Sequence, residues 1–323
     1  MSNVLNADIA YLNLIRNILL KGSHKRNRTG VDTISSFAES YKADLSKEYP
    51  LLTTKKINFN SMLREVLWYL SGEDHIRNLR KHTKIWDAWA DENGNLDTSY
   101  GRYWKRFPSA QINKETGQYE VTEIDQIGNI IDLLRTDPNS RRMVVIAWEP
   151  GNAFSSKLPP CHYTFAFNVQ NDKLNCHLTQ RSGDVALGIP FNLACYALLT
   201  QIIAQETGFD LGLFSHTIID AHAYCGKNER GEFYKKNHGL IKEKLEKIKS
   251  LEDYLHIKSW IDENAPREII GDHVPGLLLQ MSREPLENPD LEIAKKPLNE
   301  LVYEDFTLKN YKYHEPIKFD VAV

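Results

Sequence analysis

Residues 159–192 read PPCHYTFAFNVQNDKLNCHLTQRSGDVALGIPFN, and this stretch decides the fold. Apolar residues stand at every second position on both sides of the turn-forming residues Asn171-Asp172-Lys173, which is the period of half-buried strands. The pattern predicts a β-hairpin, because two alternating runs are joined by a short polar turn. Cys161 lies just before the first strand, and an apolar helical run begins near Asn192.

The polar residues around this hairpin indicate a nucleophilic site. A cysteine attacks only as its thiolate, and a nearby guanidinium favours that form. Arg181 is a candidate for this role. The alternative is that Cys161 is an inert, buried small hydrophobe. The combination of Pro-Pro-Cys-His, Arg-Ser-x-Asp and Pro-Phe-Asn in one stretch favours the site, since it is far less probable by chance than any one of these motifs.

Length and charge exclude some classes of protein. The 323 residues are enough to bury a sizeable core as one domain with a large mixed sheet. The formal net charge is −3, so no general basic surface points to nucleic acid, and we expect no nucleic-acid partner. A small anionic ligand held by local arginines remains possible.

The cysteines and the N-terminal pattern indicate a reducing, cytoplasmic setting. The four cysteines are widely spaced, with no Cys-x-x-Cys pair, so we expect neither a disulfide framework nor a metal site. Residues 1–22 mix acidic and polar residues into an apolar pattern, which is typical of an amphipathic helix and not of a signal peptide. No apolar run approaches the roughly 20 residues of a membrane span.

Four motifs, in this order, resemble the active-site core of thymidylate synthases. They are Pro-Cys-His at 160–162, Gln-Arg-Ser-x-Asp at 180–184, Leu-Gly-x-Pro-Phe-Asn at 187–192 and Asp-x-His-x-Tyr at 220–224. The resemblance implies an α/β (α+β) fold in which helices flank a large mixed β-sheet. It also implies a homodimer that packs sheet to sheet, and a single catalytic domain over residues 1–323.

Residues 225–271 interrupt the resemblance, which resumes at Asp272-His273. Apolar residues keep helical spacing there amid many lysines and glutamates, so this stretch predicts one or two amphipathic surface helices. We interpret it as a charged helical insertion, either a surface decoration or a lid or partner site.

The resemblance assigns the catalytic roles. Cys161 is implied to attack carbon 6 of the uracil ring of dUMP, with Arg181 favouring its thiolate. Glu65, in the motif Glu-x-Leu-Trp, is implied to relay protons to the pyrimidine. The residues implied to complete proton transfer and folate contacts are Tyr100, His162 and Asp184.

The resemblance also implies a binding site for dUMP. A carboxamide could face uracil or cytosine by its chemistry alone, and the family pattern assigns Asn192 to uracil. The residues implied to hold the phosphate are Arg28, Arg181, Ser182 and, across the dimer interface, the partner subunit's Arg141 and Arg142. The other implied substrate contacts are Gln180 and, at the ribose, His222 and Tyr224.

The implied co-substrate is 5,10-methylenetetrahydrofolate, which donates both a carbon and a hydride and leaves as dihydrofolate. Flat indole rings suit a pterin. The residues implied to line the folate site are Trp86, Trp89, Asp184, Gly188 and Val323, the last in a Val-Ala-Val end that folds over the bound ligands in the family.

Two alternatives remain open. A dUMP hydroxymethylase would share this site but let water attack the one-carbon unit, and three departures from the family pattern keep it open: Thr98-Ser99, Thr179 and Ile218-Ile219. Trp86, Trp89 and the Val-Ala-Val end favour the synthase. A nucleic-acid-binding or regulatory protein on the same scaffold is the other alternative, and no basic stripe interleaved with aromatics supports it.

Overall fold

The computed structural model describes residues 6–27 and 29–321. Its largest feature is a six-stranded sheet with helices against it. The helices are α1 (Ala7–Lys21), α2 (Phe59–Ser71), α3 (Tyr100–Lys105), α4 (Gln126–Thr136), α5 (Gly188–Thr207), α6 (Asn228–Glu246), α7 (Glu252–Asn264) and α8 (Val274–Met281). The strands are β1 (Ser23–Lys25), β2 (Thr33–Asp44), β3 (Phe107–Ile112), β4 (Tyr119–Ile124), β5 (Val144–Ile146), β6 (Thr164–Gln170), β7 (Lys173–Asp184), β8 (Asp210–Tyr224), β9 (Asp290–Ile293) and β10 (Phe306–Lys309).

The strand order of the main sheet is β1-β2-β8-β7-β6-β5. All neighbouring pairs are antiparallel except β7 and β8, which run parallel. The sheet is therefore mixed, as the resemblance implied. The smaller two-stranded sheets are β3 with β4 and β9 with β10.

The predicted hairpin is confirmed as β6 and β7. Asn171 and Asp172 both have positive φ, 52° and 58°, which suits a tight two-residue turn between twisted strands. Register pairs Gln170 with Lys173. β7 continues past the alternating run to Asp184, so the polar motif at 180–184 lies on the strand itself.

Helix α5 makes the crossover between the parallel strands. It is apolar nearly all round, and thirteen of its twenty residues are buried, because it packs on one face of the sheet while α2 and α4 pack against it. The crossover brings the carboxyl ends of β7 and β8 together, with Asp184 in register with His222. Polar groups at two strand ends thus meet at one edge.

The other face of the sheet keeps its side chains exposed or half-buried. One row across it runs through Ile146, Thr164, Thr179 and Thr217, which are successive register partners. Ile146 is 41% exposed although it is a large apolar residue in a strand.

The inserted segment, residues 225–271, forms the two helices α6 and α7, as predicted. Helix α6 is more than surface decoration, since Tyr234, Ile241 and Leu245 are completely buried. His238 Nε2 lies 3.2 Å from the Leu19 carbonyl oxygen, which joins α6 to α1.

Three local features differ from the sequence pattern. The apolar run 143–148 yields only the three-residue strand β5, because it lies at the sheet edge and pairs with β6 alone. The two glycines of residues 208–212 indicate a turn over that stretch, but the chain turns only at Gly208, since β8 begins at Asp210, where pairing with β7 outweighs the glycines. The hairpin of β3 and β4 is exposed, so no hydrophobic alternation predicted it.

Within residues 6–27 and 29–321, no helix combines the length and apolar character needed to cross a membrane.

Candidate active site

Cys161 lies in the loop before β6, beside Arg181 of β7. The Arg181 Nη2 atom is 3.5 Å from the Cys161 sulfur, and the Arg181 backbone N–H donates to the Cys161 carbonyl oxygen at 2.9 Å. The guanidinium also donates to the carbonyl oxygens of Pro159 (2.7 Å) and Pro160 (3.0 Å). These bonds hold the positive charge against the sulfur, where it stabilises a thiolate.

Tyr100 lies under the same loop. Its hydroxyl accepts a hydrogen bond from the Cys161 backbone N–H at 2.8 Å, and its ring stacks on the His162 ring with centroids 3.6 Å apart. Burial, followed by the nearby Cys161, raises the pKa of Tyr100 well above its usual value. The phenol therefore stays neutral and can donate its proton to a neighbouring acceptor.

His162 is a neutral histidine. Burial lowers its pKa to about 3, and its Nδ1 lies 2.7 Å from the Tyr196 hydroxyl of α5. It fixes the loop between Tyr100 and α5 and carries no charge near neutral pH.

Glu65 on α2 is held by hydrogen bonds from two aromatic side chains. Its Oε1 accepts from the Tyr69 hydroxyl (2.8 Å) and from Trp86 Nε1 (2.6 Å), and its Oε2 lies 3.9 Å from the sulfur of Cys195. Burial raises the pKa of Glu65, and these three donors offset only part of that rise. A carboxyl that keeps its proton to higher pH than usual suits a proton relay.

Asp184 ends β7 in contact with a histidine that the sequence reasoning missed. Its Oδ1 accepts from the Ala186 N–H at 2.8 Å and lies 3.5 Å from His273 Nδ1. Burial opposes ionisation, but the charges and hydrogen bonds of His273, His222 and Ala186 outweigh it, so the pKa of Asp184 falls. The carboxylate is thus ionised at neutral pH and accepts hydrogen bonds only.

Two buried side-chain atoms in the carboxyl-terminal parts of β7 and β8 have no hydrogen-bond partner among the described residues. They are His222 Nε2 and Gln180 Oε1, on side chains that are 7% and 2% exposed. The other ring nitrogen of His222, Nδ1, lies 3.2 Å from the Asp220 carbonyl oxygen and 3.3 Å from Asp220 Oδ1, so Nδ1 donates there and Nε2 is left to accept a hydrogen bond. A polar ligand bound at the strand ends would give both atoms a hydrogen-bond partner.

The aromatic wall has two indoles. The rings of Trp86 and Trp89 are 5.7 Å apart and inclined by 65°. Trp86 is mostly buried and orients Glu65, whereas Trp89 is only half-buried, so Trp89 offers more of its face to a ligand. Polar atoms and flat rings together suit a nucleotide and a folate.

Of the other residues predicted for the site, the structure places some at it and some away from it, and some lie outside the described residues. Ser182 and Asn192 are half-buried at the same edge, and Gly188 lies so close to Asn192 that an added Cβ would be 3.7 Å from Asn192 Oδ1. Tyr224 packs its ring 5.1 Å from that of His222. The structure does not bring Arg141 and Arg142 into this group; both are exposed just before β5. Arg28 and Val323 lie outside the described residues.

Three contributors to the site escaped the sequence reasoning: Lys55, Tyr196 and His273. Lys55 is 4% exposed, and its ammonium donates to the Ala186 carbonyl oxygen. Burial lowers the pKa of Lys55 to about 8, although Asp184 opposes that shift. For Lys55 the only signal in the sequence is the Lys-Lys pair at 55–56, which does not reveal burial, and His273 stood only in the Asp272-His273 pair at which the resemblance resumes.

Two of the three departures from the family pattern have structural explanations. The hydroxyl of Thr98 lies 2.8 Å from that of Ser156 and donates to the Leu158 carbonyl oxygen at 2.9 Å, so it supports the loop that leads to Cys161. Ile218 is completely buried and packs on Gly183.

No group of three or more metal-ligating side chains occurs in residues 6–27 and 29–321. A thiol beside a guanidinium, with polar atoms at two strand ends, is typical of one class of protein: enzymes that attack a small polar substrate with a cysteine thiolate.

Comparison with known proteins identifies the family within this class. A family model described as thymidylate synthase matches residues 9–323. The thymidylate synthase of Haloferax volcanii is 51% identical over 325 residues, which cover 96% of this chain and 95% of that protein. The chain belongs to the thymidylate synthase family. Neither match is described as a hydroxymethylase, so that alternative gains no support.

Proposed function

We propose that this enzyme methylates dUMP to dTMP, as a methyltransferase of its family, with 5,10-methylenetetrahydrofolate as the second substrate. The observation that carries the proposal is the 3.5 Å contact between Arg181 Nη2 and the Cys161 sulfur. Carbon 5 of uracil is too weak a nucleophile to take a one-carbon unit unaided. Thiolate addition at carbon 6 makes it an enolate, and expulsion of the sulfur restores the ring at the end.

The chain's own groups would then bind and move protons. Gln180 and Asn192 would face the pyrimidine and Ser182 the phosphate, while His222 Nε2 would accept a hydrogen bond from a ribose hydroxyl near Tyr224. Glu65 would pass protons to and from the pyrimidine oxygen, because its pKa is raised. Tyr100 is a neutral phenol, so it would hydrogen-bond the group that takes the proton from carbon 5 as the methyl group forms, and would not take that proton itself.

The folate supplies the one-carbon unit and the hydride. Trp89, Trp86 and Gly188 would line its site, and Asp184 would accept hydrogen bonds from its ring nitrogens. Val323 stays a prediction for the same site. Exclusion of water matters here, because water would otherwise compete with the hydride.

We also propose a homodimer formed through the sheet face that carries Ile146, Thr164, Thr179 and Thr217. Its half-exposed apolar and threonine side chains suit packing against a second copy. The exposed Arg141 and Arg142 precede the strand at its edge, and in the dimer they would reach the partner's nucleotide phosphate together with Arg28. A reducing cytoplasm is our proposed location, because the Cys161 thiol must stay unoxidised.

Product analysis tests the proposal. The purified protein is incubated with dUMP and methylenetetrahydrofolate, and both products are identified by mass. We expect dTMP together with dihydrofolate, none of either from Cys161→Ser, and normal turnover from the matched control Cys176→Ala, which changes a buried cysteine within β7, outside the site. A hydroxymethyl nucleotide together with tetrahydrofolate would refute the synthase.

A further inference from the structure

The inserted segment is tied to the rest of the chain by a buried ion pair. Arg230 of α6 is 2% exposed, and its Nε donates to Asp272 Oδ2 at 2.7 Å. Its Nη1 donates to the Pro266 carbonyl oxygen at 2.6 Å, so one side chain joins the start of the segment to its end. The Tyr234 hydroxyl donates to the same Asp272 oxygen at 2.8 Å.

Asp272 in turn fixes the residue that follows it. Its second oxygen accepts from the Val274 N–H at 3.0 Å, at the first turn of α8, where a carboxylate also meets the helix dipole favourably. Both oxygens of the Asp272 carboxylate therefore accept hydrogen bonds: Oδ2 from Arg230 and Tyr234, and Oδ1 from the residue that follows His273. The His273 backbone N–H donates to the Tyr224 carbonyl oxygen at 3.0 Å, which sets the position of its ring.

The His273 ring bridges the active site and residues 314–321, which we call the tail segment. On one side, its Nδ1 is 3.5 Å from Asp184 Oδ1. On the other, its Nε2 is 2.9 Å from the Asp320 carbonyl oxygen, and its ring lies 5.1 Å from that of Phe319. The ring is 1% exposed, so few other positions are open to it.

The tail segment has further contacts with the same region. The Gly271 N–H, at the end of the inserted segment, points to the Asp320 carboxylate at 3.4 Å. Gly271 has φ +70° and lies against Val31, so only glycine fits there without strain. The Phe319 ring lies 4.6 Å from Lys55 Nζ and packs directly on Gly276.

We propose that Arg230 is a positioning residue through which the inserted segment holds the tail segment over the active site, by way of Asp272 and His273. The segment is then part of the folate site's architecture. Without the Arg230 contact, Asp272 keeps only its Tyr234 and Val274 donors, so the position of His273 is less restricted. The hydrogen bond between His273 Nε2 and the Asp320 carbonyl oxygen, which holds the tail segment, is then lost or weakened. The effect on folate rests on the proposed function of Asp184; the effect on the tail segment does not.

Hydrogen exchange of the folded, full-length protein tests the proposal. Arg230→Met removes the guanidinium and keeps the aliphatic stem. We expect the amide of His314, which donates to the Thr53 carbonyl oxygen at 2.8 Å within the tail segment, to exchange about tenfold faster, as loss of one buried charged hydrogen bond implies. Peptides from β6 should exchange at the wild-type rate, and Arg230→Lys, which keeps the charge, should give an intermediate rate.

A milder variant covers the case in which Arg230→Met fails to fold. Tyr234→Phe removes one donor to Asp272 without leaving a charge unpaired, and we expect about a threefold acceleration in the tail segment. The matched control is Lys258→Met, which deletes an exposed ion pair with Asp262 in α7 and should change nothing.

Kinetics adds a readout that general destabilisation would not reproduce. For Arg230→Met we expect KM for methylenetetrahydrofolate to rise about fivefold while KM for dUMP stays within about twofold. Wild-type exchange in the tail segment of Arg230→Met, or of Tyr234→Phe where Arg230→Met does not fold, would overturn the proposal. Equal acceleration in the tail segment and in β6 would do the same. If the protein shows no methylation at all, the hydrogen-exchange result alone still tests whether Arg230 holds the tail segment.

Discussion

The Arg181 guanidinium donates hydrogen bonds to two carbonyl oxygens and one sulfur, and these bonds fix its position before any substrate binds. Lysine has one ammonium and cannot reproduce this fork. For Arg181→Lys we expect kcat/KM for dUMP to fall about 100-fold. We also expect alkylation of Cys161 by iodoacetamide at neutral pH to slow about tenfold, because less thiolate is present.

The control for this prediction is Arg135→Lys. Arg135 lies in the last turn of α4 and pairs with Glu206 of α5, away from Cys161. The alkylation rate of this variant should match the wild type. Unchanged alkylation of Arg181→Lys would mean that the guanidinium serves binding and not thiolate formation.

Glu65 should give the enzyme a pH dependence of known sign. Burial raises its pKa, so the folded protein holds this proton at pH values where the unfolded chain has released it. Stability from this site is complete below the unfolded pKa and is lost as pH rises to the folded pKa. We expect Glu65→Gln to remove that loss in denaturant titrations at a series of pH values, and to lower kcat about 100-fold.

Asp132→Asn on the exposed face of α4 is the matched control, and its stability should follow the wild-type pH curve. The same pH dependence in Glu65→Gln as in the wild type would place the titrating group elsewhere.

At the scale of elements, α1 is attached to the chain before α2 by one carboxylate. Asp8 accepts hydrogen bonds from the backbone N–H groups and the hydroxyls of Thr53 and Thr54, at 2.9–3.1 Å. Asp8→Ala leaves these buried donors without an acceptor. We expect the free energy of unfolding to fall by about 3 kcal/mol, measured by urea denaturation.

Asp132→Ala, again on the exposed face of α4, should cost less than about 0.5 kcal/mol. A similarly small loss for Asp8→Ala would show that water replaces the carboxylate between α1 and Thr53.

Much of the fold could be predicted from patterns of apolar and turn-forming residues that are local in the sequence. The hairpin of β6 and β7 was predictable because alternation and turn chemistry lie within about twenty residues. Helix α2 was predictable from its apolar stripe, and the resemblance placed Cys161, Arg181 and Glu65. His273 and Lys55 were not predictable, because their roles arise from contacts with Asp184 and Ala186 that lie far away in sequence. No local pattern reports such a contact.

At the scale of the whole molecule, shared active sites in a dimer would allow two inactive variants to rescue each other. We expect Cys161→Ser and the double variant Arg141→Ala with Arg142→Ala to be nearly inactive alone. Co-expressed, they should recover about a quarter of wild-type activity, because half of the dimers are mixed and one of two sites in each is intact.

Sedimentation of each variant alone checks that it still forms dimers. Full activity of the arginine double variant, or no recovery on co-expression, would refute the sharing of sites. A control pair, Cys161→Ser with Glu65→Gln, should give no recovery, because both changes fall in the same chain's site.

The two ends of the inserted segment meet: Cys225 and Asp272 form an isolated bridge, and the Gly226 N–H donates to the Gly271 carbonyl oxygen at 3.1 Å. The segment leaves and rejoins the chain at one point, so a gene could gain or lose it in a single event without rethreading any strand. Its ancestry can therefore differ from that of the sheet. An allele without it would still encode the sheet, yet would have to find another anchor for Asp272.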